Sequence, residues 1–266
     1  MRIRTAGALL PVAAVLLLGG CGSSSPDQAA AKGAESGGAG PSPTSGTSRA
    51  PEATTFANIT GVPRDDAPTA GTDGLVVHPA KAEPVLDRPD GRAVATLPVQ
   101  QLRGPTWVPV VDRSGDWLRV LLPSKPNQAS GWISGKSAGL RTAHSPYVVK
   151  VEVGRRRLTL LKSGHQVGRW SVAVGGGRTP TPAGRTFLLA NLAPEKRTPS
   201  PLVLPLGTHS ATLDSFGGGP GTVALHGWPD SSVFGRAVTH GCVRVPPEAL
   251  RELSRVPLGS LVYIKG

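Results

Sequence analysis

The sequence predicts a mainly β protein: two successive β-rich units, with one short helix near the C-terminus. Two observations carry this. From residue 78 onward, short β-branched or aromatic runs alternate with Asp-Gly, Ser-Gly, Pro and Gly turn signals. Apolar residues at helical spacing occur convincingly only in "PPEALRELSRV", where Leu250, Leu253 and Val256 lie three apart behind Pro246 and Pro247.

The chain opens "MRIRTAGALLPVAAVLLLGGCGSSSP". Arg2 and Arg4 form a positive start, and residues 6–18 are an apolar run long enough for a signal segment but short of the roughly 20 residues of a membrane span. "LGGC" resembles the lipobox of bacterial lipoproteins, in which cleavage precedes a cysteine that is then acylated. Residues 1–20 are therefore expected to be a signal peptide and Cys21 the lipidation site. An ordinary secretory signal with an incidental cysteine is the alternative. Residues 21–77 are rich in Ser, Gly, Pro, Ala and Thr, and are expected to form a disordered tether that cannot offset its ordering entropy by burial. Phe56 and Ile59 stand alone in it.

Residues 78–141 form the first expected unit. In "WVPVVDRSGDWLRVLL" two apolar runs flank Arg113-Ser114-Gly115-Asp116, the pattern of a β-hairpin. With "GWIS" after it, the hairpin resembles a bacterial SH3-like module, a small β-barrel. Trp107, Trp117 and Trp132 suit either a ligand platform or core packing. From Tyr147 the strands lengthen: "YVVKVEV", "RRLTLLKSG", "QVGRWSVAVGG" and "GRTFLLANL" precede the helix, and "SLVYIKG" reads as a closing strand.

The net charge is +12, from 29 basic and 17 acidic residues. Such a surface suits polyanions, but an exported chain meets cell-wall polymers and lipid head groups rather than nucleic acid. No nucleic-acid partner is expected.

The chain has two cysteines. If Cys21 carries lipid, Cys242 has no partner within the chain, and a leftover thiol in an exported protein is either an inert core residue or a working nucleophile. It sits in "THGCVR". A working thiol needs a base or cation to raise its thiolate fraction at neutral pH, and donors to hold the oxyanion. His226 and His240 offer imidazoles, Gly241 allows close backbone approach, and Arg244 is a permanent cation. His209, His226, His240 and Cys242 also offer metal ligands, but His-Gly-Cys is too tight for a usual structural zinc site and there is no second cysteine near it. No metal and no cofactor are expected.

"HGWPDSSVFGRAVTHGCVRV" resembles the signature of the L,D-transpeptidases, the YkuD-like family of peptidoglycan cross-linking enzymes: a His-Gly, a spacer, then Ser/Thr-His-Gly-Cys, an apolar residue, and Arg or Asn. Upstream, "VGGGRTPTPAGRTFLL" is similar to the family's Gly-ended strand followed by "TPxG". The likeness covers residues 146–266, the expected catalytic domain. It implies Cys242 as nucleophile and His226 as base, with the Gly227 carbonyl orienting the imidazole. The N–H groups of Gly241 and Cys242 would hold the oxyanion, and His240, Arg244 and Thr239 would shape the loop and bind substrate. Residues 192–220 would wall the cleft, and His209 stays unassigned.

The reaction implied by the resemblance is acyl transfer through a cysteine thioester. D-alanine leaves a peptidoglycan stem tetrapeptide, and the amine of a second stem makes a 3→3 cross-link. Carbapenems would be inhibitors, and the expected location is the outer face of the bacterial cell membrane, facing the wall. Hydrolysis by the same nucleophile and a non-catalytic wall-binding lipoprotein are the alternatives.

Overall fold

The computed structural model describes residues 50–196 and 198–266. The expected signal peptide and Cys21 lie outside the described residues. Among the described residues no helix is long and apolar enough to cross a membrane.

The first unit contains β1 (Leu75–His78), β2 (Glu83–Leu86), β3 (Ala93–Leu97), β4 (Gln100–Gln101), β5 (Gly104–Pro105), β6 (Val108–Ser114), β7 (Trp117–Leu121), β8 (Ser130–Ser134) and β9 (Arg141–His144). Seven of these form one sheet in the order β3-β2-β8-β7-β6-β1-β9, and β4 pairs with β5. The expected hairpin is present, with Ser114 opposite Trp117 and Gly115 at φ 55° in the turn, a conformation that glycine adopts without a Cβ penalty. Trp107 stacks on His78 at 5.2 Å, and the Arg119 guanidinium lies 5.9 Å over Trp132.

The second unit begins with β10 (Tyr147–Glu152), β11 (Arg157–Lys162), β12 (His165–Ser171), β13 (Val174–Gly175) and β14 (Gly184–Phe187). It continues with β15 (Val203–His209), β16 (Thr222–Gly227), β17 (Ala237–Thr239), β18 (Val243–Val245), helix α1 (Pro247–Leu253) and β19 (Leu261–Lys265). A five-stranded sheet in the order β12-β11-β10-β19-β14 accompanies a three-stranded sheet, β15-β16-β18, and the pair β13-β17. The period-2 pattern decides what each strand buries. Val149 and Val151 of β10 and Leu158 and Leu160 of β11 turn inward, to share a core with Leu204, Leu206, Val223, Leu225, Val243 and Val245 of the smaller sheet. The α1 residues Ala249, Leu250 and Leu253 join the same core. Burying each such side chain stabilises the fold by about 1.5–3 kcal/mol.

A second core joins the two units. Phe187, Leu189 and Leu261 of the second unit pack with Val85, Leu97, Val110, Val120 and Ile133 of the first.

The tether expectation is corrected for residues 50–77. Ala53 and Ile59 are buried in the second core, and Glu52, Asn58 and Arg64 make single β-bridges to Thr96, Lys125 and Ala129. Asp65 forms a bidentate ion pair with Arg185 of β14, Oδ2 accepting from Nε at 2.8 Å and Oδ1 from Nη2 at 2.6 Å, with both side chains 1% exposed. Arg185 Nη1 also donates to the Ala70 carbonyl. The segment is a strap bound across both units. Its polar composition hides this because it is held by backbone bridges, two apolar residues and one buried ion pair, not by an apolar face of its own. The first unit likewise extends beyond residues 78–141, since β1 starts at Leu75 and pairs with β9, which ends at His144.

Candidate active site

β16 and β18 run parallel, with Leu225 opposite Val243 and His226 opposite Arg244. Because Leu225 and Val243 enter the core, alternation places Ala224 and His226 on the other face with Arg244 and, one residue before β18, Cys242. Carrying the register one step back sets Cys242 level with Ala224 and makes it the diagonal neighbour of His226, a relation within reach of ring-bearing side chains. Fifteen residues of intervening chain are thus brought back to one patch by two short strands.

His226 is half-buried, and its Nδ1–H donates to the Gly227 carbonyl at 2.9 Å. A carbonyl can only accept, so Nδ1 holds the ring proton and Nε2 is left as the proton acceptor. Burial pushes the imidazole below its ordinary value; the Gly227 bond opposes this, and the Arg244 charge adds to it. The thiol moves the other way. Burial pushes Cys242 above its ordinary value, against smaller lowering by the Ala224 backbone N–H and by Arg244. This corrects the expectation that neighbouring charge raises the thiolate fraction at neutral pH, because the loss of water around the half-buried sulfur outweighs one cation. Burial therefore favours the neutral form of both the thiol and the imidazole, an arrangement suited to proton transfer as the sulfur attacks.

The loop before Cys242 is braced from two sides. Thr239 Oγ1 donates to the Cys242 carbonyl at 2.6 Å and accepts from the Gly241 N–H at 3.1 Å. From the "TPTP" segment, Thr181 Oγ1 donates to the Gly241 carbonyl and Thr179 Oγ1 to the Thr239 carbonyl, both at 2.9 Å. Gly241 sits at φ +115°, a region costly to any residue with a Cβ. Its N–H is engaged by Thr239, which corrects its expected place in the oxyanion hole. The Cys242 N–H has no acceptor among the described residues and is the amide left to receive an oxyanion.

Arg244 lies flat on Trp228, its Cζ 3.5 Å from the ring centroid, and Trp228 meets the His226 ring edge-on at 6.1 Å. Among the described residues the guanidinium Nε is buried without a partner. A stacked, partly desolvated cation on the same face as the thiol can receive a carboxylate or carbonyl of a substrate. Sequence reasoning quoted Trp228 inside the motif but gave it no role; a large ring directly after His-Gly was the available signal.

His240 is exposed and packs against Phe216 at 5.1 Å, so part of residues 192–220 does flank this region. A cavity of about 420 Å³, lined by Gly176, Gly177, Arg178, Thr179, Val238, Thr239 and His240, opens beside it. The structure keeps His209 away from the patch. It lies toward the opposite end of the β15–β16 ladder, opposite Thr222, and its Nε2–H donates to the Thr55 carbonyl at 2.7 Å. Among the described residues no group of three or more His, Cys, Asp or Glu side chains is placed to hold a metal.

Comparison with known proteins identifies the family of the second unit. The family model of the YkuD L,D-transpeptidase catalytic domain matches residues 146–264. The chain is 30% identical over 149 residues to YkuD of Bacillus subtilis (strain 168), covering 54% of this chain and 84% of that protein. The chain belongs to the YkuD family of L,D-transpeptidases. YkuD of Bacillus licheniformis is 32% identical over 152 residues, 55% of this chain and 85% of the relative. An L,D-transpeptidase structure from Mycobacterium tuberculosis H37Rv is 13% identical, with a TM-score of 0.41 over 60% of this chain and 93% of its own. In this YkuD-family chain the matched region takes in every motif residue from Thr179 to Arg244.

Proposed function

We propose that the chain forms 3→3 cross-links in peptidoglycan through a thioester on Cys242. The observation that carries the reading is the His226 ring, held by the Gly227 carbonyl with Nε2 free, on the same sheet face as the Cys242 thiol. As Sγ attacks the carbonyl of the third residue of a donor tetrapeptide, His226 Nε2 takes the thiol proton. The Cys242 N–H donates to the oxyanion. Collapse breaks the peptide bond, His226 returns the proton to the departing D-alanine amine, and the thioester remains. The side-chain amine of a second stem then attacks, His226 takes its proton, and the thiol is restored as the new amide forms. Arg244, flattened on Trp228, binds a carboxylate or carbonyl of the stem. The strategy is acyl transfer by a nucleophile, a base and a carbonyl orienter, the roles of a serine triad on another scaffold. The pattern of residues 1–21 supports acylation of Cys21 and work at the outer face of the membrane.

Intact-mass measurement of the protein with a stem tetrapeptide and an acceptor stem tests this. A thioester adduct on Cys242, a D-alanine product and a cross-linked dimer are expected, with acylation slowed by about 10²–10⁴-fold in His226→Ala. One carbapenem adduct per chain, absent in Cys242→Ala, is expected from the same chemistry. Free tripeptide without a dimer would make the chain a hydrolase, and absence of every adduct would end the thioester reading.

A further inference from the structure

We infer that Ser200 is a positioning residue for His226: its hydroxyl anchors the N–H of Gly227, the residue whose carbonyl holds the imidazole. The inference rests on the reading of His226 as the base. Ser200 is 3% exposed and belongs to the connection between β14 and β15, closed by reciprocal bonds of 2.9 Å between Leu192 and Val203. Its Oγ donates to the Leu202 carbonyl at 2.5 Å and accepts the Gly227 N–H at 2.7 Å. A hydroxyl has one proton, and with that proton committed to Leu202 the oxygen must face Gly227 as an acceptor. Thr198 Oγ1 holds the Ser200 carbonyl in turn, at 2.7 Å.

The place of this bond explains its use. On the β15 side the β16 ladder ends at Val203 opposite His226, so the buried Gly227 N–H, one residue further, has no strand partner there. Ser200 supplies it. Gly227 itself has no Cβ to limit its backbone, yet a Cβ there would lie 3.0 Å from Ser200 Oγ and 3.2 Å from Leu250 Cδ2. The space where a side chain would stand is therefore filled by a hydroxyl and a leucine methyl, which confine the glycine from outside. Releasing the Gly227 N–H would free the φ and ψ of that glycine, and the Gly227 carbonyl would swing away from Nδ1, so the ring would lose both its orientation and its preference for the Nδ1–H tautomer. Among the described residues the Ser200 hydroxyl bonds only Leu202 and Gly227, so it reaches the ring through Gly227.

The experiment compares the full chain with Ser200→Ala and Ser200→Thr by D-alanine release from a stem tetrapeptide, thermal melting and the ¹⁵N shifts of the His226 ring. In the parent, Nδ1 is expected to be protonated and Nε2 bare. Ser200→Ala should show mixed tautomers and a kcat lower by roughly 10–100-fold, the range for removing groups that orient a site ligand, with KM little changed. Ser200→Thr, which keeps the hydroxyl, should recover the tautomer and most of the rate. If Ser200→Ala does not fold, Ser200→Cys, similar in size and a weaker acceptor, is read by the same tautomer and release measurements. A folded Ser200→Ala or Ser200→Cys with the parental rate and a pure Nδ1–H tautomer overturns the inference. A parent that releases no D-alanine would instead defeat the transpeptidase reading, and the tautomer comparison would still decide the role of Ser200.

Discussion

Asp65→Ala should unfold the protein far more easily than its place in a polar, proline-rich stretch suggests. The substitution strips Arg185 of two charge-assisted hydrogen bonds, at 2.8 and 2.6 Å, and leaves it one, from Nη1 to the Ala70 carbonyl. Both side chains of the pair are 1% exposed, so water does not replace the lost carboxylate. Breaking a buried pair from one side costs about 3–5 kcal/mol, and in a folded unit of this size each kcal/mol moves Tm by about 2–4 °C, so a fall of roughly 6–20 °C is expected. Asp65→Asn keeps one acceptor oxygen and should lie between parent and Asp65→Ala. The pair Asp65→Leu with Arg185→Met removes both charges and should recover much of the loss. Thermal melting and urea titration of the full chain give the numbers. An Asp65→Ala protein within about 1 kcal/mol of the parent would refute the strap as part of the fold and restore the reading of residues 50–77 as a tether.

Four further outcomes follow. Because burial holds the His226 imidazole below its ordinary value and the Cys242 thiol above its own, D-alanine release should persist below pH 6.5 and fall only as His226 gains its proton, while direct alkylation of Cys242 in His226→Ala should rise only in alkaline solution; fast alkylation at pH 7 in that variant would contradict the neutral pair. His209, also depressed by burial, binds fewer protons folded than unfolded, so with His226 it contributes stability that is complete above about pH 6.5 and is lost as pH falls through the folded values, which urea titrations at several pH values would show as a declining midpoint. Trp228→Leu removes a cation–π contact of about 0.5–2 kcal/mol and frees Arg244, and should raise KM for the stem tetrapeptide more than it lowers kcat; an unchanged KM would mean that the guanidinium does not bind substrate. Cys21→Ser should move the protein from the membrane fraction to the soluble fraction without loss of activity, and a mature membrane-bound variant would count against acylation.

The candidate patch was legible because its chemistry-bearing residues are crowded into a few positions. His226-Gly227 and the Thr239–Arg244 run carry their spacing in the sequence, and β16 and β18 only have to pair for the motif to assemble. The strands and helix α1 were legible from alternation and turn residues. Other parts were hidden for identifiable reasons. The strap is fixed by Asp65 meeting a residue 120 positions away, and nothing local in "GVPRDDAPTAGTDG" announces that partner. Ser200 sits in a loop with no period, and its value comes from a strand-end amide that sequence alone does not expose. The oxyanion assignment of Gly241 failed because the Thr239 hydroxyl curls back onto that amide. The burial that pushes the Cys242 thiol upward was hidden because desolvation depends on packing, which a count of nearby cations does not measure.

The parallel pairing of β10 with β19 also governs when this molecule can come into being. β19 lies between β10 and β14 in the five-stranded sheet, so one of the earliest strands of the catalytic domain waits for the last one. Roughly a hundred residues separate them, and at about 5–20 residues per second a growing chain spends on the order of 5–20 s with its central sheet unclosed. Contacts of such long range also slow folding itself. A growing chain therefore stays threadable until Leu261–Lys265 emerge, and a protein cut short before those five residues loses the interior strand that joins β14 to the rest of the sheet.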